Sequence, residues 1–247
     1  MLNSKLEGKI KYSFFYLLFL SFQFLNAQTP YFQQEVNYDI NVTLNDINHT
    51  LTGVANIEYI NNSPGDLKEI YFHLWANAYK NINTAFAKQQ IRNGSTDFFF
   101  AKDSEMGGYS EVRFLRDGQE LILTPNDKNI DIAHLTLNKI IQSGGKANFE
   151  IPFTIKIPNY FSRMGHVDQA YYISQWYPKP AVYDKAGWHP MPYLDQGEFY
   201  SEFGSFDVKI TLPENYVVAS TGTLETCLLY TSPSPRDATL SRMPSSA

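Results

Sequence analysis

The sequence predicts an all-β domain, a saddle-shaped or sandwich-like pair of antiparallel sheets. Apolar and polar residues alternate with period two over several stretches, turn residues interrupt them at short intervals, and only one segment suits a helix. Composition agrees with a packed core. Of 247 residues, 43% are hydrophobic and 15% aromatic, against 18% charged, whereas a disordered chain is poor in apolar residues and strongly charged.

Residues 1–27 read as a secretory leader. Lys5, Lys9 and Lys11 form a basic start, Phe14 to Leu25 an apolar stretch, and Asn26-Ala27-Gln28 a cleavage point. That stretch is too short for a bilayer-spanning helix, which takes ~20 residues. The reading places the mature protein outside the cytoplasm, periplasmic or extracellular, with no membrane attachment after cleavage.

The mature domain is expected over 28–226. Tyr38, Ile40, Val42 and Leu44 share one face of a first strand, and Leu51, Gly53, Ala55, Ile57 and Tyr59 one face of a second. Asn61-Asn62-Ser63-Pro64-Gly65 is dense turn chemistry. Ile70, Phe72 and Leu74 follow as a third strand, expected to complete an antiparallel meander with the first two. The run 85–91 suits a short helix stopped by Asn93-Gly94. Alternation returns at 111–115, 120–123 and 130–137. It is cleanest at Phe149, Ile151, Phe153, Ile155 and Ile157, and recurs at Phe206, Val208, Ile210 and Leu212. Between them, 159–205 reads as a long functional loop, with eleven aromatics in the 36 residues from Tyr171 to Phe206.

The end of the chain reads differently. Cys227 to Asp237, then Ser241 to Ala247, resemble translated sequencing adapters, so 227–247 is expected to be an artefactual tail on a protein that continues natively past about residue 226.

Several function classes are disfavoured. The net charge is −5 and no basic patch stands out, which argues against nucleic-acid binding. The only cysteine, Cys227, falls in the tail, so the domain has no thiol for catalysis or disulfides. No Gly-x-Ser-x-Gly elbow or phosphate-cradling glycine loop occurs. The histidines at 49, 73, 134, 166 and 189 lack a His-Glu-x-x-His context, although His166 with Asp168, or His189 with Asp195, remain pairs that folding could bring together. Glu198 and Glu202 are the pair to consider for glycoside chemistry. The aromatic stretch has two readings: a cluster capping the core, or a contact surface for a protein or for sugar rings stacked on Trp176 and Trp188. The latter would make the chain a secreted carbohydrate-binding or adhesion module.

Longer motifs carry a family resemblance. Gln175-Trp176-Tyr177-Pro178-Lys179-Pro180-Ala181-Val182-Tyr183-Asp184, Gly187-Trp188-His189 and Gly197 to Gly204 resemble the amino-terminal domain of M1-family zinc aminopeptidases, in exported Bacteroidetes-type versions. Tyr38-Asp39-Ile40, His49 to Gly53 and Phe72 to Tyr79 extend the likeness over about 31–224. The resemblance implies a saddle-shaped β domain preceding a thermolysin-like catalytic domain. That second domain would hold the zinc ligands, the general-base Glu and a Gly-x-Met-Glu-Asn loop, and none of these is in this sequence. It also implies a Gln or Glu, nine residues before the proline of an F-P-x-x-D stretch, that contacts the amino terminus of a peptide substrate. Tyr177-Pro178 matches that stretch, which makes Gln169 the first candidate and Gln175 the second. The implied partners are the missing catalytic domain and the substrate amine. No metal is expected in this fragment.

Overall fold

Alternation in the sequence becomes pleat in the structure, a computed structural model that describes residues 31–124, 126, 128–228 and 236–241, with only the backbone of 226–228 and 236–241. The expected leader at 1–27 lies outside the described residues, as do 229–235 and 242–247 of the expected tail. Every element below belongs to the unit Gln33–Ala247.

Strand β1 (Glu35–Asn45) buries Val36, Tyr38, Ile40, Val42 and Leu44 on one face. Asn45 Oδ1 then accepts from the backbone N–H groups of Ile47 (3.1 Å) and Asn48 (3.0 Å), and this side-chain turn returns the chain. β2 (Thr50–Ile60) pairs antiparallel with β1 along its whole length.

The expected meander stops there. β3 (Leu67–His73) enters a second sheet instead of pairing with β2. The cause is Asn61, which is fully buried. Its amide nitrogen is shared among the carbonyls of Gly65 (2.9 Å), Ile141 (3.1 Å) and Gln142 (3.1 Å), while its oxygen accepts from Ser63 N (3.1 Å) and Oγ (2.6 Å). Each bond satisfies a buried polar group, and together they turn the chain out of the first sheet.

A 3-10 turn (Trp75–Tyr79) follows, then helix α1 (Ala85–Arg92). Thr84 caps the helix by accepting from Ala87 N at 3.2 Å. Short strands β4 (Gly108–Val112), β5 (Leu115–Arg116), β6 (Gln119–Glu120) and β7 (Leu123–Thr124) lead to β8 (Ile132–Ile141) and β9 (Lys146–Lys156). β9 pairs with β2 and β8 with β3. Phe72 of β3 lies 5.7 Å from Phe149 of β9 and 4.9 Å from Phe114, so the two sheets share one apolar core.

The long loop expected at 159–205 is in part short-stranded. β10 (Gly165–Val167) and β11 (Ala170–Tyr172) form one hairpin, and β13 (Val182–Asp184) and β14 (Gly187–His189) another. β12 (Lys179–Pro180) pairs with β3. β15 (Phe206–Leu212) then runs parallel to β1, with Tyr38 opposite Phe206 and Thr43 opposite Thr211. The antiparallel expectation does not hold for this pair. A parallel neighbour needs a long crossover, and everything between β1 and β15 supplies it. Last come β16 (Thr223–Leu228) and β17 (Arg236–Ser241), the latter antiparallel to β15. The main sheet has the order β16-β17-β15-β1-β2-β9-β5-β6, with β4 also on β9, and the second β12-β3-β8-β7. No helix among the described residues is long and apolar enough to cross a membrane.

Candidate functional site

The motif segments, scattered in sequence, meet on one side of β3. Lys179 in β12 stands opposite His73 of β3. Its side chain is buried, and Nζ donates to Gln175 Oε1 and Ser201 Oγ, each at 2.8 Å. The same nitrogen lies 4.3 Å from the Trp75 ring centre and 5.8 Å from that of Tyr177, positions that favour a cation. Burial nevertheless disfavours the charge and lowers the Lys179 pKa to about 7. Gln175 takes a left-handed φ of 55°, a conformation that costs a non-glycine residue energy and is held by its surroundings.

Buried titratable groups pin the segment beyond Lys179. His73 is stacked on Trp75 at 4.3 Å, and its Nε2 accepts from Met191 N at 3.1 Å. Burial first, and the nearby Lys179 charge second, push its pKa down to about 3, so the ring is neutral. Trp75 Nε1 donates to Met191 O at 3.0 Å, and Asp131 Oδ2 accepts from Tyr193 N at 2.6 Å. Burial raises the Asp131 carboxyl to about 6. Glu202 is only 5% exposed, accepts from Tyr183 N at 3.1 Å, and is raised by burial to about 7.

Beside this cluster opens a cavity of about 1230 Å³. Its apolar wall includes Ile40 and Val42 of β1 with Phe206, Val208 and Ile210 of β15. Gln169 and Gln175 both line it, so folding brings the two predicted contact residues to one cavity. Gln169 sits exposed between β10 and β11, where Tyr216 Oη donates to its Oε1 and its Nε2 donates to Asp46 O at 3.4 Å. Each glutamine oxygen thus accepts one protein hydrogen bond and keeps a second lone pair.

The histidine–carboxylate pairs come out differently from the sequence reading. His166 Nδ1 faces the backbone oxygen of Asp168 at 3.0 Å, and its ring stacks on His49 at 3.7 Å. His189 Nε2 pairs with Asp184 Oδ1 at 2.8 Å rather than with Asp195, which accepts from Ser162 Oγ. Among the described residues no three His, Cys, Asp or Glu side chains gather as metal ligands. The described residues do not fit a zinc site. Glu198 is exposed at the cavity while Glu202 is buried against backbone. Trp176 and Trp188 are half-buried, Trp176 6.0 Å from Phe153 and Trp188 4.9 Å from Tyr183, a setting that favours packing over an open stacking platform. Sequence reasoning missed Lys179 and His73 as site residues. The available signal was a lysine between two prolines in an aromatic run, a poor setting for a solvated charge.

No family model matches the chain, and no curated protein matches it. Solved structures do. An M1 zinc metallopeptidase from Deinococcus radiodurans matches at 15% identity and a TM-score of 0.47, covering 86% of this chain and 40% of that one. A point mutant of that enzyme bound to a Tyr-Ser-Ala substrate gives the same values. A two-domain M1 zinc metallopeptidase mutant bound to L-arginine matches at 12% identity and a TM-score of 0.47, with the same coverage. This chain spans about 40% of the length of each of these proteins.

Proposed function

We propose that the chain is the amino-terminal, non-catalytic domain of an exported M1-like zinc aminopeptidase. In this reading zinc belongs to a following catalytic domain that docks on this one. The domain walls one side of the peptide cleft, and Gln169, with Gln175 second, accepts a hydrogen bond from the substrate's terminal ammonium.

One observation carries the proposal. The motif blocks at 72–79, 175–184, 187–189 and 197–204, which carry much of the family resemblance, are neighbours in space: Lys179 pairs with His73 and donates to Ser201, Val182 pairs with His189, Trp75 packs on Phe199, and Glu202 accepts from Tyr183 N. Independent segments that resemble one family in sequence and also build one site support a shared inheritance of that site. A cavity lined by both candidate glutamines adds to this.

The test is the native coding sequence beyond residue 226, followed by expression of the extended protein. A His-Glu-x-x-His helix and zinc-dependent release of amino-terminal residues are expected, with Gln169→Ala raising KM about tenfold, the worth of one charge-assisted hydrogen bond. A continuation without a zinc-ligand helix overturns the proposal.

A further inference from the structure

The donors around Lys179 are arranged for an anion. An ammonium only donates, so both its partners must accept from it. Gln175 therefore turns Oε1 toward Lys179, which leaves both hydrogens of its Nε2 directed elsewhere. Ser201 likewise accepts with Oγ and retains its own O–H. Among the described residues nothing accepts from Gln175 Nε2 or Ser201 Oγ, and no carboxylate pairs with Lys179. All three residues line the cavity.

We propose that Lys179, Gln175 and Ser201 form a cradle for the carboxylate of a small organic acid, whose apolar body lies in the cavity against β1 and β15. A buried cation without a counter-ion is costly, and a hydrogen-bonded carboxylate offsets that cost. The adjacent acids do not fill this role. Glu202 turns its carboxyl to Tyr183 N, and burial favours its neutral form up to about pH 7. Glu198 is exposed. The lowered Lys179 pKa fits a cation that lacks its anion. Phe206, Val208 and Ile210 supply the apolar wall that fixes an aromatic or aliphatic body. The cradle is independent of the amine contact assigned to Gln169 and, because it selects the opposite charge, it replaces Gln175's secondary role in that contact.

The experiment titrates the full chain with 4-phenylbutyrate, 4-phenylbutan-1-ol and 4-phenylbutylamine, followed by tryptophan fluorescence and calorimetry at pH 6.5 and 8.5. The acid should bind at least about tenfold more tightly than the alcohol at pH 6.5, as a charge-assisted contact implies, and should weaken at pH 8.5 as Lys179 loses its proton. Lys179→Met should remove the preference for the acid. Gln175→Glu places a counter-ion beside Lys179 without removing the lysine, so it should abolish acid binding while raising the melting temperature. Equal affinity for acid and alcohol, tighter binding of the amine, or wild-type acid binding by Gln175→Glu would each overturn the cradle. The site of Gln169 can fail its own test without affecting any of these readings.

Discussion

Gly204 shows how a single residue holds the site to the sheet. The backbone beside it is stitched to β1 by Val36 N to Phe203 O at 2.9 Å and Tyr38 N to Ser205 O at 2.8 Å. That approach is so close that a Cβ at Gly204 would sit 1.6 Å from the Val36 carbonyl oxygen. The obstructing atom is backbone within a strand and cannot swing aside as a flexible side chain would. Gly204→Ala should therefore cost about 3 kcal/mol, the upper end for forced overpacking, with Ser201 and Glu202 displaced as the 201–205 segment pulls away from β1. Urea unfolding measures this directly. A change below about 0.5 kcal/mol, the level of an ordinary surface substitution, would show that the approach is not tight.

At the scale of elements, the β10–β11 hairpin is tied to the β1–β2 turn mainly through side chains. His49 and His166 stack at 3.7 Å, Tyr171 Oη meets His49 Nδ1 at 2.7 Å, and the single hydroxyl hydrogen of Tyr216 is shared between Gln169 Oε1 in the hairpin and Asp46 Oδ2 in the turn, the latter at 3.1 Å. Asp168 adds its backbone oxygen to His166. Burial, then the facing His166, lowers the His49 pKa, and Asp46 opposes the shift. A histidine with a depressed pKa contributes stability above its ordinary value of 6.5 that is lost as pH falls through that value. The amides of 165–172 should thus exchange faster, after correction for intrinsic rates, at pH 5.5 than at 7.5. His49→Phe keeps the stack and should flatten the dependence; an unchanged pH dependence in that variant would remove the imidazole from the account. This hairpin also marks the limit of what sequence patterning reveals. β1, β2, β9 and β15 are long and half-buried, so period two announces them, and Asn93-Gly94 marks the end of α1. Strands of two or three residues such as β10 to β14 are too short to express a period. The transfer of β3 to a second sheet depends on Asn61 reaching carbonyls distant in sequence, which no local pattern encodes. The candidate site was legible to the same degree. Motif likeness led to Gln169 and Gln175, but a buried lysine or histidine is defined by what encloses it. Lys179 and His73 therefore emerged only with the fold.

For the whole molecule, the buried ionisable groups make stability a function of pH in opposing directions. His73, held near 3 against 6.5 unfolded, binds fewer protons folded than unfolded, so it favours the fold increasingly as pH rises from 3 to 6.5. Glu202 acts the other way. Its folded pKa of about 7 exceeds the ordinary 4.5, so its contribution is fully present below 4.5 and lost as pH rises to 7. Asp131 follows the same sign between 3.8 and about 6. The bulk pH profile mixes these slopes, and a difference between variants separates them. Glu202→Gln keeps an oxygen to accept from Tyr183 N while removing the titration. Its stability relative to wild type should therefore rise between pH 4.5 and pH 7.5, by on the order of 2 kcal/mol. The same gain should leave the segment from Lys179 to Ser205 docked at higher pH, because the charge that strains its inner face is gone. Thermal unfolding of both proteins at four or five pH values in that window reads the effect. A difference that is flat with pH would mean Glu202 ionises as easily in the fold as outside it. The carboxyl would then be hydrated, and the long aromatic segment would owe its position to packing and backbone pairing alone.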